Sequence, residues 1–288
     1  MKSFHGALTG LVIIIVMTAS GGCRREPDND DRLTPAGRYQ DDVFTTVDVS
    51  RDIAYGSAVD RSGKLQTLVL DLYEPAADTV SRRAAIVWIH GGGFVSGSKS
   101  TAQMADLAQR YARKGYLTVS IDYRLATPAQ FAVEPWPVMR DAMFDAKAAV
   151  RWLRANAGPL RVDDGRIAAG GGSAGAFTAL HAAYVEEEGD SGNPGFSSQL
   201  GAVIDFWGGL HDVSELEAGE APLIIIHGTL DQTVPFAYAQ QLADRAQAIG
   251  VAYEFHPLVG SGHSAWQFMD DFAAWITPFL YRHLIDQP

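Results

Sequence analysis

The chain has a single cysteine, Cys23, so no intrachain disulfide can staple it. Basic residues are also scarce. Only 23 Lys and Arg stand against 34 Asp and Glu, a formal charge of −11 at pH 7. A surface of that sign repels phosphate backbones and anionic headgroups, which excludes nucleic-acid partners and a polybasic membrane patch. The amino-terminal apolar run L-V-I-I-I-V-M at 11–17 is too short for a comfortable bilayer span. No Cys or His spacing fits a zinc site, and no metal or organic cofactor is implied. What the chain does have is a globular composition, 47% hydrophobic and 20% charged over 288 residues, which suits one domain of α/β size.

The amino end has its own character. Lys2 and His5 precede the apolar run, T-A-S-G-G-C follows at 18–23, and R-R-E-P-D-N-D-D-R is then sharply polar. Small residues before such a junction are what a signal peptidase needs, so 1–22 reads as a signal peptide. The G-G-C junction resembles a bacterial lipoprotein signal, in which Cys23 becomes the lipidated first residue; Ser20 stands where that pattern usually has leucine. Ordinary secretion and an uncleaved anchor are the alternatives, and all three export the domain. In the lipidated case Cys23 is the only membrane contact, on the periplasmic or exterior side. Residues 23–42 then read as a polar tether and 43–288 as the folded domain.

Within that domain, strands at 43–55 and 65–73, joined by the turn residues 60–64, predict an antiparallel opening. Nearly continuous apolar runs at 84–90 and 116–122 predict strands covered on both faces, with a helix over 101–114 between them. A proline-bearing stretch, 125–137, leads into a long alanine-rich helix. A short strand at 166–169, a helix through 184, strands at 200–206, 222–227 and 251–256, and helices at 236–249 and 265–284 complete the alternation. This is an α/β pattern, a mostly parallel sheet with helices on both faces. The acidic stretch 186–195 reads as a surface loop.

Ligands of such sheets collect beyond the carboxyl ends of the strands. Gly171, Ser173 and Gly175 fit G-x-S-x-G, in which small neighbours let a serine sit on a sharp strand-to-helix corner. A plain glycine-rich helix cap is the competing reading of that motif alone. Acyl transfer needs a nucleophile, a base, an acid that orients the base, and donors for an oxyanion. Ser173 supplies the first, His263 in G-S-G-H the second, and Asp231 in H-G-T-L-D the third, with Asp205 as its competitor. The loop His90-Gly91-Gly92-Gly93 lets backbone amides converge; Gly92, with Gly93 as alternative, and Ala174 are the candidate donors. His90 reads as a brace of that loop. His181, His227 and His256 read as structural, as do Asp122, Arg124, Asp141 and Asp145. The turn Asp163-Asp164-Gly165 is not a calcium site. Phe94, Trp136, Trp207 and Trp266 are candidate pocket walls, each of which could equally be core.

These motifs, I-V-W-I-H-G-G-G-F-V-S-G-S-K at 86–99, S-I-D-Y-R-L-A at 120–126, D-A-K-A-A-V-R-W-L-R at 145–154, G-G-S-A-G at 171–175 and H-G-T-L-D-Q-T-V-P at 227–235, resemble the α/β-hydrolase superfamily in its HGGG-type esterase and lipase branch. They look most like carboxylesterases and feruloyl or acetyl-xylan esterase-like enzymes. Two departures stand out: Gly172 replaces the aspartate of the frequent G-D-S-A-G, and Ala176 replaces a common glycine. The resemblance implies an α/β-hydrolase fold of eight strands and a serine carboxylic-ester hydrolase without cofactor. Its partner is a small-molecule or polymer-linked ester. The short interval 208–220 leaves no room for a cap, so the expected substrates are short-chain or aryl esters, with ester groups on polysaccharides among the candidates. A serine peptidase of the prolyl-oligopeptidase kind, or a non-catalytic binding protein on the same scaffold, are the alternatives.

Overall fold

The computed structural model describes residues 36–287. The expected signal peptide, Cys23 and most of the expected tether lie outside the described residues. Eight strands form one sheet in the order β1-β2-β4-β3-β5-β6-β7-β8. The antiparallel opening is β1 (Val47–Val59) with β2 (Leu65–Pro75), and β2 also runs antiparallel to β4 (Leu117–Ile121). From β4 onward through β3 (Arg83–Ile89), β5 (Val162–Gly172), β6 (Ala202–Phe206), β7 (Leu223–Gly228) and β8 (Tyr253–Leu258) every pairing is parallel.

The central strands are apolar because both of their faces are covered. All of β3, β4, β6 and β7 is buried. One cluster, with Val87, Ile89, Val119, Ala146 and Leu180, packs the face under α3 (Pro135–Ala155), the short α4 (Ala157–Leu160) and α5 (Ala174–Tyr184). The other, with Ile86, Trp88, Leu107, Tyr111 and Phe272, packs the face under α1 (Ala102–Arg113) and α7 (Met269–Leu280). Met104, Leu107, Ala108 and Tyr111 of α1 point inward, as their three-to-four spacing requires. The helix α6 (Ala237–Ile249) ends at Gly250, whose φ of 77° closes the turn before β8.

Strand bounds differ from the expectation, with β1 over Val47–Val59 and β5 over Val162–Gly172, so that the expected turn 163–165 lies inside β5, and three further segments differ in kind. The stretch 125–137 contains a helix, α2 (Pro128–Val133), started by a reciprocal capping box between Thr127 and Gln130 with Pro128 in its first turn. The loop 186–195 is not merely a surface feature. Fully buried Ser191 donates to Asp145 Oδ1 at 2.6 Å, and Asn193 donates to the carbonyl of Tyr55 at 2.7 Å. The expected tether also ends too late, because Arg38 and Tyr39 are buried against the domain. The Arg38 guanidinium grips both oxygens of Asp78 at 3.0 and 2.9 Å, and the Tyr39 hydroxyl accepts the Ala84 amide at 3.2 Å. This strap lies at the amino-terminal ends of β3 and β4. The loops that carry the site leave the opposite ends.

Candidate active site

Strand β5 ends in glycines because nothing larger fits. A Cβ on Gly171 would lie 2.2 Å from the Ile89 carbonyl oxygen, and one on Gly175 only 2.0 Å from the same atom. Backbone against backbone at this spacing turns the chain sharply from β5 into α5. Ser173 sits at the apex with φ 56° and ψ −122°, a conformation that costs a non-glycine residue about 1–3 kcal/mol. Its amide donates to the Phe206 carbonyl at 2.9 Å, which ties the corner to β6. The strain is retained because strand, helix and neighbour all fix the backbone.

The serine faces a histidine. His263 Nδ1 lies 2.7 Å from Asp231 Oδ2, and its Nε2 lies 3.0 Å from Ser173 Oγ. A carboxylate accepts, so Nδ1 carries the hydrogen, and the bare Nε2 accepts the serine hydroxyl. Asp231 is buried, and its Oδ1 takes the amides of Thr233 at 2.8 Å and Val234 at 3.0 Å. That grip fixes the carboxylate at the start of the turn into α6. Ser173, Asp231 and His263 are thus brought into one hydrogen-bonded row from three loops on one edge of the sheet.

Asp205 does not join it. Its Oδ1 accepts the Gly208 amide at 2.7 Å, while Oδ2 is buried without a partner among the described residues. Burial pushes this carboxyl up to about 7. The Gly208 bond instead pins the turn at Trp207, whose φ of 46° aims its ring at the site. The two indoles of Trp207 and Trp266 meet edge to face at 4.6 Å, and Trp207 stands 6.2 Å from the His263 ring.

The cleft at Ser173 has a volume of about 420 Å³. Gly91, Gly92 and Gly93 form one wall, Trp207 and Trp266 another, and the amino end of α1 contributes Thr101, Gln103 and Met104. Apart from His263, no lining residue is charged or basic, so an uncharged substrate is the natural guest. Gly92 and Gly93 have φ of 115° and 61°, and no acceptor takes their amides among the described residues. Ala174 opens α5, so its amide has no helical acceptor either. His90 lies buried beneath this loop, its Nδ1 2.7 Å from the Gly91 carbonyl and its ring stacked at 4.3 Å on Tyr123. Burial lowers its pKa, which leaves it a neutral brace.

Two expected pocket walls are elsewhere. Phe94, with φ 64°, turns under the glycine loop and stacks on Phe131 of α2 at 5.5 Å. Trp136 opens α3 and stacks on His211 at 5.1 Å, beside a separate acidic cavity that includes Glu186, Glu215 and Glu220. Both rings found apolar or aromatic partners closer than the cleft. The contribution of α1 was not anticipated, because its lining residues sit in a helix start with no motif of their own. His181 is buried, its Nε2 accepts the His211 amide, and burial brings its pKa down to about 4. His256 stacks on Trp275 at 4.4 Å. Arg124 and Asp145 form a buried ion pair at 2.9 Å. His227, read from the sequence as structural, is buried with its Nε2 3.2 Å from Asp231 Oδ2.

Residues 70–220 match the BD-FAE family model. The chain belongs to the BD-FAE family. It is an esterase family of α/β-hydrolase fold. The chain is 33% identical to Esterase LipI of Mycobacterium tuberculosis over 128 residues, 44% of this chain and 37% of that protein. To the Probable carboxylic ester hydrolase LipM of the same organism it is 26% identical over 212 residues, covering 72% of this chain and 46% of the other. The chain therefore spans less than half the length of either relative. Among solved structures, the esterase Est2 of Thermogutta terrifontis with butyrate bound superposes with a TM-score of 0.68 at 28% identity, over 81% of this chain and 96% of that one. The same enzyme phosphorylated by paraoxon gives 0.69 at 27%, over 85% and 97%.

Proposed function

We propose that this BD-FAE member is a serine carboxylic-ester hydrolase acting through an acyl-enzyme. The observation that carries this is the unbroken row from Ser173 Oγ through His263 to Asp231, with the serine on a strained corner beside unpaired amides. Ser173 Oγ attacks the ester carbonyl as its proton passes to His263 Nε2. The carbonyl oxygen becomes an oxyanion held by the amides of Ala174 and of Gly92 or Gly93, each donor contributing about 3 kcal/mol at the transition state. Collapse of the intermediate expels the alcohol, which takes the proton from Nε2. Water then attacks the acyl-enzyme and gives its proton to Nε2; the acid leaves, and the proton returns to Ser173. Asp231 holds the imidazole in the required tautomer throughout.

Short acyl or aryl esters fit the cleft best. The connection from β6 to β7 holds one three-residue helical turn, and Leu216 after it is packed into the core, so no cap rises there. The likeness to an esterase solved with butyrate bound and with propionate bound agrees with a short acyl group. Ester groups on polysaccharides, of the feruloyl or acetyl kind, are the polymer-linked candidates that an open cleft admits. The test is a panel of acetyl, butyryl, octanoyl, feruloyl and peptide substrates with wild type and Ser173→Ala in parallel. Hydrolysis of short esters that vanishes in the variant supports the reading; peptide cleavage without ester hydrolysis would move it to the peptidases.

Export with lipidation at Cys23 is the matching proposal for location, resting on the apolar run and the G-G-C junction. Cys23→Ser should release the enzyme from membranes with its specific activity intact. An unchanged membrane fraction would refute the anchor.

A further inference from the structure

Strand β7 ends at a second histidine on the orienting acid. His227 is wholly buried, with Nε2 2.9 Å from the Val234 carbonyl oxygen and 3.2 Å from Asp231 Oδ2. A carbonyl can only accept, so Nε2 carries the hydrogen, and one N–H bridges the two oxygens. Nδ1 is then bare, buried and without a partner among the described residues. Charging the ring would place a proton in that dry position. Burial accordingly lowers the pKa of His227 below the ordinary imidazole range, which keeps it a neutral donor.

Asp231 does not need this bond to stay in place, because its Oδ1 is gripped by two amides. The bond acts on Oδ2, the oxygen that His263 uses. We propose that His227 is a positioning residue that sets the acid–base balance of the triad, by sharing with His263 the Asp231 oxygen that supports the imidazolium. The proposal rests on the ester-hydrolase reading of the same site. The groups facing the pair are His227 from β7, the Ser173 hydroxyl from the corner, and the uncharged rings of Trp207 and, beyond it, Trp266. Phe236 closes the far side of His227. Asp205 is engaged with Gly208. Without the His227 N–H, Oδ2 belongs to His263 alone and favours its protonated form more strongly.

The test compares His227→Gln, whose amide N–H can occupy the Nε2 position, with His227→Met, which fills similar space with no donor. The pH profile of kcat/KM for 4-nitrophenyl acetate is measured on enzyme whose sites are counted by paraoxon titration. The acid limb should move to higher pH by about half to one unit in the methionine variant, while the glutamine variant keeps the wild-type limb. Identical limbs in all three proteins, or equal displacement in both variants, would overturn the proposal; a merely structural role lowers the active fraction without moving the limb. Proton NMR of the His263 Nδ1–H resonance gives a readout that needs no turnover. It should move further downfield in His227→Met, and an unmoved resonance sinks the proposal whether or not esters are hydrolysed. A moved resonance in a protein that hydrolyses no ester would sink the functional reading alone. If the methionine variant does not fold, 15N shifts of wild-type His227 decide: protonated Nε2 is required, and protonated Nδ1 contradicts the bridge.

Discussion

Asp231 and Asp205 both stand near strand ends, and only their contacts separate them. Asp231→Asn should reduce kcat about 10⁴-fold, because an amide in place of the carboxylate no longer holds His263 in the tautomer that accepts the serine proton. Asp205→Asn should leave turnover within a few-fold, since Asp205 touches the Gly208 amide and not His263; the opposite ranking in a kinetic comparison would reverse the assignment. Asp205 also makes stability depend on pH. Its carboxyl rises from an ordinary 3.8 to about 7 in the fold, so the stability tied to its neutral form is complete below about 3.8 and is lost as pH rises through about 7. Asparagine keeps the Oδ1 acceptor and never ionises. Thermal melts should therefore show Asp205→Asn gaining on wild type between pH 5 and pH 8, and a constant difference would contradict the buried, unpartnered oxygen. Ser173, Asp231 and His263 were legible because turn chemistry and chain order mark them. His227 was not, because its link to Asp231 depends on how the turn after β7 folds back.

At the scale of elements, the sheet and its helices follow apolar runs and helical spacing, and so could be read from the chain. The short α2 was missed although Thr127, Pro128 and Gln130 spell its start, because three prolines nearby suggested irregular backbone. The strap was missed for a different reason. Arg38 and Tyr39 sit in a polar stretch, and partners distant in sequence bury them: Asp78 and Gly115 for Arg38, Ala84 and Tyr116 for Tyr39. Arg38→Ala leaves Asp78 buried and short of its main partner. It should cost about 3–5 kcal/mol in denaturant unfolding, with kcat/KM of the folded enzyme unchanged, because the strap and the cleft lie at opposite ends of the strands. A loss below 1 kcal/mol would mean the strap is only laid on the surface. Gly171→Ala should act on the site as well as on stability. Its Cβ would meet the Ile89 carbonyl at 2.2 Å, so the corner must move and activity should fall together with melting temperature.

For the whole molecule, the open cleft decides what the chemistry can serve. A greasy tunnel gains up to about 0.8 kcal/mol for each methylene it desolvates, whereas here methylenes beyond the first few remain in water. Below substrate aggregation, kcat/KM should peak between acetyl and butyryl, and a steady rise through octanoyl would require a lid that the described residues do not form. The chemistry turns on Ser173 carrying the acyl group, and covalent trapping probes that step without a substrate. Wild type and Ser173→Ala are incubated with paraoxon, digested, and examined by peptide mass spectrometry. Wild type should carry one diethylphosphoryl group per chain, on the peptide holding Ser173, with hydrolysis of 4-nitrophenyl butyrate lost in proportion, and the variant should carry none. A phosphorylated residue other than Ser173, or full esterase activity in Ser173→Ala, would contradict Ser173 as the acyl carrier.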